Sequence, residues 1–331
     1  MNKAVLLIFF LFIANFASAF VVNHTNVNDF YSLTQEQTDR VRSLNWFMGH
    51  QSVGRHIING LIEVDDNGIH DLDVIPDGYT DTTRADYVNS GPLFGNRNLV
   101  SFGVSKTQDF FTSLSSNSDL IDVGIMKYCY ADLQGDMIST GAFSSATEAF
   151  NTYKNAVDAF KATHPGVVMV HSTMPLKTDE DSWVVEKNFY RDMILQEYGN
   201  EYVFDVADIE SWYNGAYTTF IYNGQTYLKM NQAYTSDGGH PDLTEGRRNL
   251  ARGLWVMMAK VAEDLSGEPP PVTGSDINFD GKTDIIDVTL ITFWQGKNSG
   301  DANWNSYSRL DLDSDGDVDF NDVIISIRDI L

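Results

Sequence analysis

The chain has 331 residues, 43% of them apolar and 12% aromatic, and a formal charge of −24. The apolar content suffices for one domain of about 200 to 250 residues with a smaller one beside it, and it excludes a largely disordered chain. The negative charge opposes binding to nucleic acid and to anionic membrane surfaces, and makes metal cations the more natural partners.

In chain order, Met1-Asn2-Lys3, an apolar run from Ala4 to Phe16 and the small residues Ala17-Ser18-Ala19 have the form of a signal peptide, residues 1–19, cleaved after Ala19. The apolar run is shorter than the ~20 residues that span a bilayer, and no second span follows, so no membrane segment is expected after cleavage. The expected location is outside the cytoplasm: secreted or extracellular, with the cell surface and the periplasm included. Cys129 is the one cysteine, so stability cannot rest on an internal disulfide.

From residue 20 to 265, short apolar runs alternate with segments of helical period, the pattern of an α/β domain with a parallel sheet. Strands are expected at Leu44 to Met48, Leu120 to Lys127, Val167 to Ser172 and Tyr202 to Val206, with a further one near Asn98 to Gly103. Helices are expected at Ser145 to Thr163, where Phe150, Tyr153, Val157 and Phe160 form one apolar stripe, and from about Asp181 to Tyr198. A last helix begins after Asp242-Leu243-Thr244-Glu245, a capping-box spacing, and runs to a spacer at 266–275 that contains Pro269-Pro270-Pro271.

Residues 276–331 are set apart by charge, with 12 Asp against 4 Lys or Arg. Asp276, Asn278, Asp280, Asp284 and Asp287 occupy positions 1, 3, 5, 9 and 12 of a twelve-residue loop, with Gly281 at position 6 and Thr283 at position 7 to lend its carbonyl. Calcium takes six to eight oxygens, and the glycine allows the turn that gathers them. The pattern returns 35 residues on with Asp311, Asp313, Asp315, Gly316, Asp317, Asp319 and Asp322, and each loop leads into an apolar helical stretch. Two bound Ca²⁺ ions are expected. This duplicated loop-helix unit, with Asp at position 12, resembles the dockerin domain, a small α-helical EF-hand-like fold. The resemblance implies a cohesin-type scaffold module as partner. At loop positions 10 and 11 stand Ile285-Ile286 and Phe320-Asn321; the two isoleucines fit either a partner contact or the small core.

In the larger domain, Phe47-Met48-Gly49-His50-Gln51-Ser52-Val53-Gly54 follows a strand, and a serine in such a strand-to-helix turn is exposed at the top of a parallel sheet. Asp237-Gly238-Gly239-His240 supplies a base with a carboxylate to hold its tautomer. This order, together with Leu120 to Lys127, the segment His164 to Pro175 and the segment Tyr202 to Ser211, resembles the SGNH (GDSL-like) hydrolases. It implies a flavodoxin-like three-layer α/β fold with Ser52 as nucleophile, His240 as general base and Asp237 as its orienting partner, and no catalytic cofactor. The chain departs from that family's pattern in having two residues between Gly49 and Ser52, and Lys127-Tyr128-Cys129-Tyr130-Ala131-Asp132 where Gly-x-Asn-Asp would stand.

Replacement oxyanion donors are therefore sought at the Ser52 N–H, at Gly103 to Lys106 and at Lys127 to Tyr130. His50 fits a structural hydrogen bond better than catalysis, and Cys129, after an apolar strand, fits buried packing better than nucleophilic attack. The expected function is a secreted esterase or deacetylase of carbohydrate esters, on polysaccharide or small ester substrates. The alternatives are a non-catalytic binding or adhesion protein with a degenerate SGNH-like domain, and a glycosidase using Asp132 and Glu210.

Overall fold

The computed structural model describes residues 20–64, 70, 72–74, 81–133, 141–266, 275, 277, 283, 285–301, 304, 310–313 and 315–330. The signal peptide, the spacer residues 267–274, and Asp276, Asn278, Asp280 and Asp284 of the first loop lie outside them. The chain divides into two compact units, Met1–Ala262 and Glu263–Leu331. Among the described residues no helix is long and apolar enough to cross a membrane.

The larger unit runs β1 (Phe20–Val22), α1 (Gln35–Arg42), β2 (Trp46–His50), α2 (Val53–Glu63), α3 (Arg84–Ser90), β3 (Phe94–Asn98), α4 (Gly103–Ser116), β4 (Val123–Met126), α5 (Ala146–Thr163), β5 (Val168–Ser172), α6 (Ser182–Tyr198), β6 (Tyr202–Phe204) and α7 (Val206–Ser211). Two hairpins follow, β7 (Trp212–Tyr213) with β8 (Ala216–Tyr217) and β9 (Thr219–Tyr222) with β10 (Gln225–Leu228), and then α8 (Thr244–Ser266). Six strands form one parallel sheet in the order β1-β6-β5-β4-β2-β3.

Side chains alternate across this sheet as the strand period of two requires. Trp46, Met48, Val123 and Ile125 pack with Ile57, Ile58 and Leu61 of α2 and Leu250, Leu254 and Met257 of α8. Phe47, Met126 and Met169 pack on the other face with Phe110 of α4, Tyr153 of α5 and Tyr190 of α6. The result is three layers, helix-sheet-helix. Gly49 lets α4 come close, since a Cβ there would lie 2.2 Å from Phe110 Cδ2.

The chain reverses its winding direction between β2 and β4, because β3 lies outside β2 and the next strand, β4, returns to its inner side. In open α/β sheets the crevice beyond the carboxyl ends of two such strands is where ligands bind. Here that crevice is flanked by the Gln51-Ser52 turn and the segment from Lys127 to Asp132.

Two expectations shift. The strand sought near Asn98 to Gly103 lies earlier, at Phe94–Asn98, and Gly103 opens α4 at φ +58, where a Cβ would lie 2.1 Å from Gly141 O. The Asp242 to Glu245 spacing is not a capping box. The Asp242 carboxylate instead accepts from the N–H and hydroxyl of Ser236, which closes the loop carrying Asp237 and His240.

In the smaller unit, α9 (Ile285–Phe293) and α10 (Phe320–Ile330) enclose Ile277, Val288, Ile291, Leu310, Val318 and Val323. Asp287 Oδ1 accepts from Ile277 N at 2.7 Å, and Asp322 Oδ1 accepts from Leu312 N at 2.5 Å. Each links position 12 of its loop to the N–H at position 2, so both halves close alike. Ile285 and Ile286 are 70% and 51% exposed, which excludes the core-packing reading for them; Phe320 is exposed too.

Candidate active site

Ser52 stands between β2 and α2 with φ 24 and ψ −77. For a residue with a Cβ this backbone costs about 1–3 kcal/mol and is kept only where surrounding packing imposes it. Packing does so here, because Val53, Gly54, Ile57 and Ile58 are buried on one side and all of β2 on the other. A Cβ at Gly54 would lie 2.2 Å from His50 Cβ, so the turn is as tight as a glycine allows.

His240 is held from its own loop. Asp237 Oδ2 lies 2.6 Å from His240 Nδ1, and Asp237 Oδ1 accepts from the N–H groups of Gly239 and His240, each at 2.9 Å. Burial alone would raise the Asp237 carboxyl, but these N–H groups and the His240 ring hold it well below the usual carboxylate range. It therefore stays ionised beside the ring, as an orienting carboxylate must.

The structure brings Ser52 and His240 to adjacent residues of the loop after β4, without a direct hydrogen bond between them. His240 Nε2 lies 3.2 Å from Tyr130 Oη, and Ser52 Oγ lies 3.2 Å from Cys129 Sγ. The His56 ring, one turn along α2 from Ser52, is 5.6 Å from the His240 ring. Desolvation, then the neighbouring His240, lowers His56 to about 4, so it is neutral at pH 7. Catalytic contacts are commonly loose in free enzymes and tighten with substrate.

Cys129 and His50 have the structural surroundings expected of them. Cys129 is buried. His50 is fully buried with Nε2 at 3.3 Å from Asn96 Oδ1, and desolvation lowers it to about 3.

Most of the proposed oxyanion donors are turned inward. Gly103 N donates to Asp132 Oδ1 at 3.1 Å, Cys129 N donates to Asp132 Oδ2 at 2.6 Å, and Lys127 Nζ donates to Tyr128 O at 2.9 Å. Lys106 Nζ lies 2.5 Å from Asp132 Oδ2 and 2.8 Å from Gln51 Oε1. Of the groups named from the sequence, the Ser52 N–H keeps an unfilled position at the start of α2, and the Val104 and Ser105 N–H groups do so at the start of α4, none with an acceptor among the described residues. The Gln51-Lys106-Asp132 linkage carries no sequence signature, because its members lie 55 and 26 residues apart.

The two acids considered for glycosidase chemistry do not line the crevice. Asp132 is fully buried in its pair with Lys106, and Glu210 is 1% exposed with Oε2 accepting from Leu176 N at 2.7 Å. Acids that act on a glycosidic bond must face it from an open cleft.

In the tail, carboxylate oxygens of Asp311, Asp313 and Asp315 lie within 4.8 Å of one another. Ligands at 2.3–2.6 Å from a shared Ca²⁺ are at most about 5 Å apart, so this set fits the ion. Asp319 Oδ1 accepts from Asn321 N, and Asp322 Oδ2 from Asp319 N. Asp317 is held through its N–H, which donates to Asp315 Oδ1. In the first loop, Thr283 and Asp287 are described, with Asp287 fully buried.

No protein-family model and no curated protein matches the chain. Solved structures similar to it include a candidate acylhydrolase from Bacteroides fragilis, at 14% identity and a TM-score of 0.41 over 69% of this chain and 95% of that one. A GDSL-like lipase from Bacteroides thetaiotaomicron is similar at 11% identity and a TM-score of 0.36, over 74% of this chain and 98% of that one. The periplasmic domain of a lipopolysaccharide acetyltransferase from Salmonella ser. Paratyphi A is similar at 11% identity and a TM-score of 0.38, over 74% and 99%. The chemistry is therefore read from the site itself.

Burial pushes Glu210 up to about 8. It is protonated in the native protein at pH 7 and ionised in the unfolded chain, so its contribution to stability is complete below about pH 4.5 and is lost as pH rises to 8. Lys127, lowered to about 8 by desolvation, acts only above that window. Between pH 5 and 8, the unfolding free energy of the wild type should fall relative to that of Glu210→Gln, measured by urea denaturation. Parallel curves would contradict the assignment.

Proposed function

We propose that the larger unit is a serine esterase or deacetylase of the SGNH type. The observation that supports this reading is a serine with positive φ at the carboxyl end of a central parallel strand, touching Cys129 while a histidine oriented by a carboxylate touches the adjacent Tyr130. Ser52 Oγ attacks the ester carbonyl carbon as its proton passes to His240 Nε2. The tetrahedral oxyanion then collapses, the C–O bond to the alcohol breaks, and His240 returns the proton to the departing alkoxide. Water repeats the sequence on the acyl-enzyme and restores Ser52.

For this to happen the His240 ring must exchange its Tyr130 contact for Ser52. The dockerin-like tail, which suggests an assembly acting on polysaccharide, favours carbohydrate esters as substrates. The non-catalytic alternative predicts no dependence of hydrolysis on Ser52. The wild-type protein should hydrolyse 4-nitrophenyl acetate, Ser52→Ala should abolish that rate, and Asp237→Asn should lower kcat on the order of 10³- to 10⁴-fold. Equal rates for wild type and Ser52→Ala would overturn the esterase reading.

The smaller unit is proposed to bind two Ca²⁺ ions, one in each loop, and to attach the exported enzyme to a cohesin-type scaffold module. The converging Asp311, Asp313 and Asp315 oxygens support the metal site, and exposed Ile285, Ile286 and Phe320 support an apolar contact face. Gathered carboxylates repel one another until a cation binds, so calcium should stabilise this unit. Titration calorimetry on the calcium-stripped full chain should show two equivalents, falling to one in Asp313→Ala/Asp315→Ala. Absence of binding heat at millimolar calcium would contradict the proposal.

A further inference from the structure

The crevice needs a second hydrogen-bond donor for the oxyanion, and the two lysine ammoniums expected from the sequence, Lys106 and Lys127, are engaged elsewhere. One donor is the Ser52 N–H at the start of the eleven-residue helix α2. The Gly103 and Cys129 N–H groups are taken by Asp132, and the Lys127 ammonium by a backbone carbonyl. Gln51, immediately before the serine, is the exception.

Its amide is oriented without ambiguity. The atom facing Lys106 Nζ at 2.8 Å must be the acceptor Oε1, because an ammonium only donates. Lys106 is itself fully buried and fixed by Asp132, which is held in turn by two backbone N–H groups. With its oxygen anchored at the back, Gln51 directs Nε2 away from Lys106. That nitrogen has no acceptor among the described residues and is not sealed from solvent. A cation on the carbonyl end of an amide also polarises its N–H bonds, which makes them stronger donors.

We infer that Gln51 Nε2 is the side-chain oxyanion donor of this site, paired with the Ser52 N–H and set in place by Lys106 and Asp132. This inference rests on the esterase reading and extends it. Gln51 is the catalytic residue, since it touches the reacting oxygen. Lys106 and Asp132 are positioning residues, since they act through Gln51 and the backbone. In the attack step the Oγ–C bond forms, the carbonyl π pair moves onto oxygen, the serine proton goes to His240, and the new negative charge meets two N–H donors.

The test compares wild type, Ser52→Ala, Gln51→Ala and Gln51→Glu in the full chain, on 4-nitrophenyl acetate and its thiono analogue. Sulfur accepts hydrogen bonds poorly, so a working donor favours the oxygen ester. Gln51 is half-buried, which makes it a milder site to change than Lys106, whose loss would strand a buried carboxylate.

Both Gln51 variants should keep KM within a few fold and lose on the order of 10²- to 10³-fold in kcat on the oxygen ester. The preference for oxygen over thiono ester should collapse in parallel. Ser52-dependent hydrolysis with kcat unchanged in Gln51→Ala would overturn the inference and leave the esterase standing. A fall in kcat with the oxygen preference intact would assign Gln51 a structural role and overturn it equally. Absence of any Ser52-dependent hydrolysis in the wild type would remove both readings together.

Discussion

The interaction on which the larger unit's site depends is the buried pair of Lys106 and Asp132. Burying two charges costs several kcal/mol per ion unless the remaining donors and acceptors are satisfied, and here they are. Asp132 accepts from Lys106, Gly103 N and Cys129 N, and Lys106 donates onward to Gln51. The pair thus fastens three separate segments to one another: the turn after β2, the start of α4 and the loop after β4. Those segments surround the point where the sheet reverses its winding. An apolar pair of similar volume could fill the same space, but it could not orient an amide or hold two backbone N–H groups.

The strand-to-helix turn at Ser52 and the Asp237 to His240 loop both touch this frame, at Cys129 and at Tyr130. Ser52 immediately precedes α2, whose first turn carries His56, and α8 follows on the histidine loop. Both helices pack on the same face of the sheet through Ile57, Ile58 and Leu61 against Leu250, Ala251 and Leu254. A shared apolar face therefore links two loops that lie far apart in sequence. Tyr130, attached to the Asp132 loop, fills the position next to His240.

Much of this was legible in the sequence wherever one local rule acted alone. The apolar runs at Val123 to Met126 and Val168 to Ser172 are buried on both faces and read directly as strands. The helices expected from Ser145 and from about Asp181 are present as α5 and α6, with those two residues as their caps. Elements with mixed polarity are less legible. β3 contains Gly95, Asn96 and Arg97, and its strand character comes from pairing with β2 and not from its own side chains. The hairpins at Asn214-Gly215 and Asn223-Gly224 carry the ordinary signal of a tight turn with positive φ. Asp242 has the right spacing for a cap, yet the nearby Ser236 competes for its carboxylate. The Ser52, Asp237 and His240 positions could be named from their motifs, whereas Gln51, Lys106 and Asp132 are joined only by the fold.

The central claim is that Ser52 is a nucleophile activated by His240. Treatment with a fluorophosphonate, followed by peptide mass mapping, tests it without any assumption about the natural substrate. The account predicts one adduct per chain, on Ser52, with its rate of formation cut by orders of magnitude in His240→Ala. No adduct on Ser52, or labelling as fast without His240 as with it, would contradict the account.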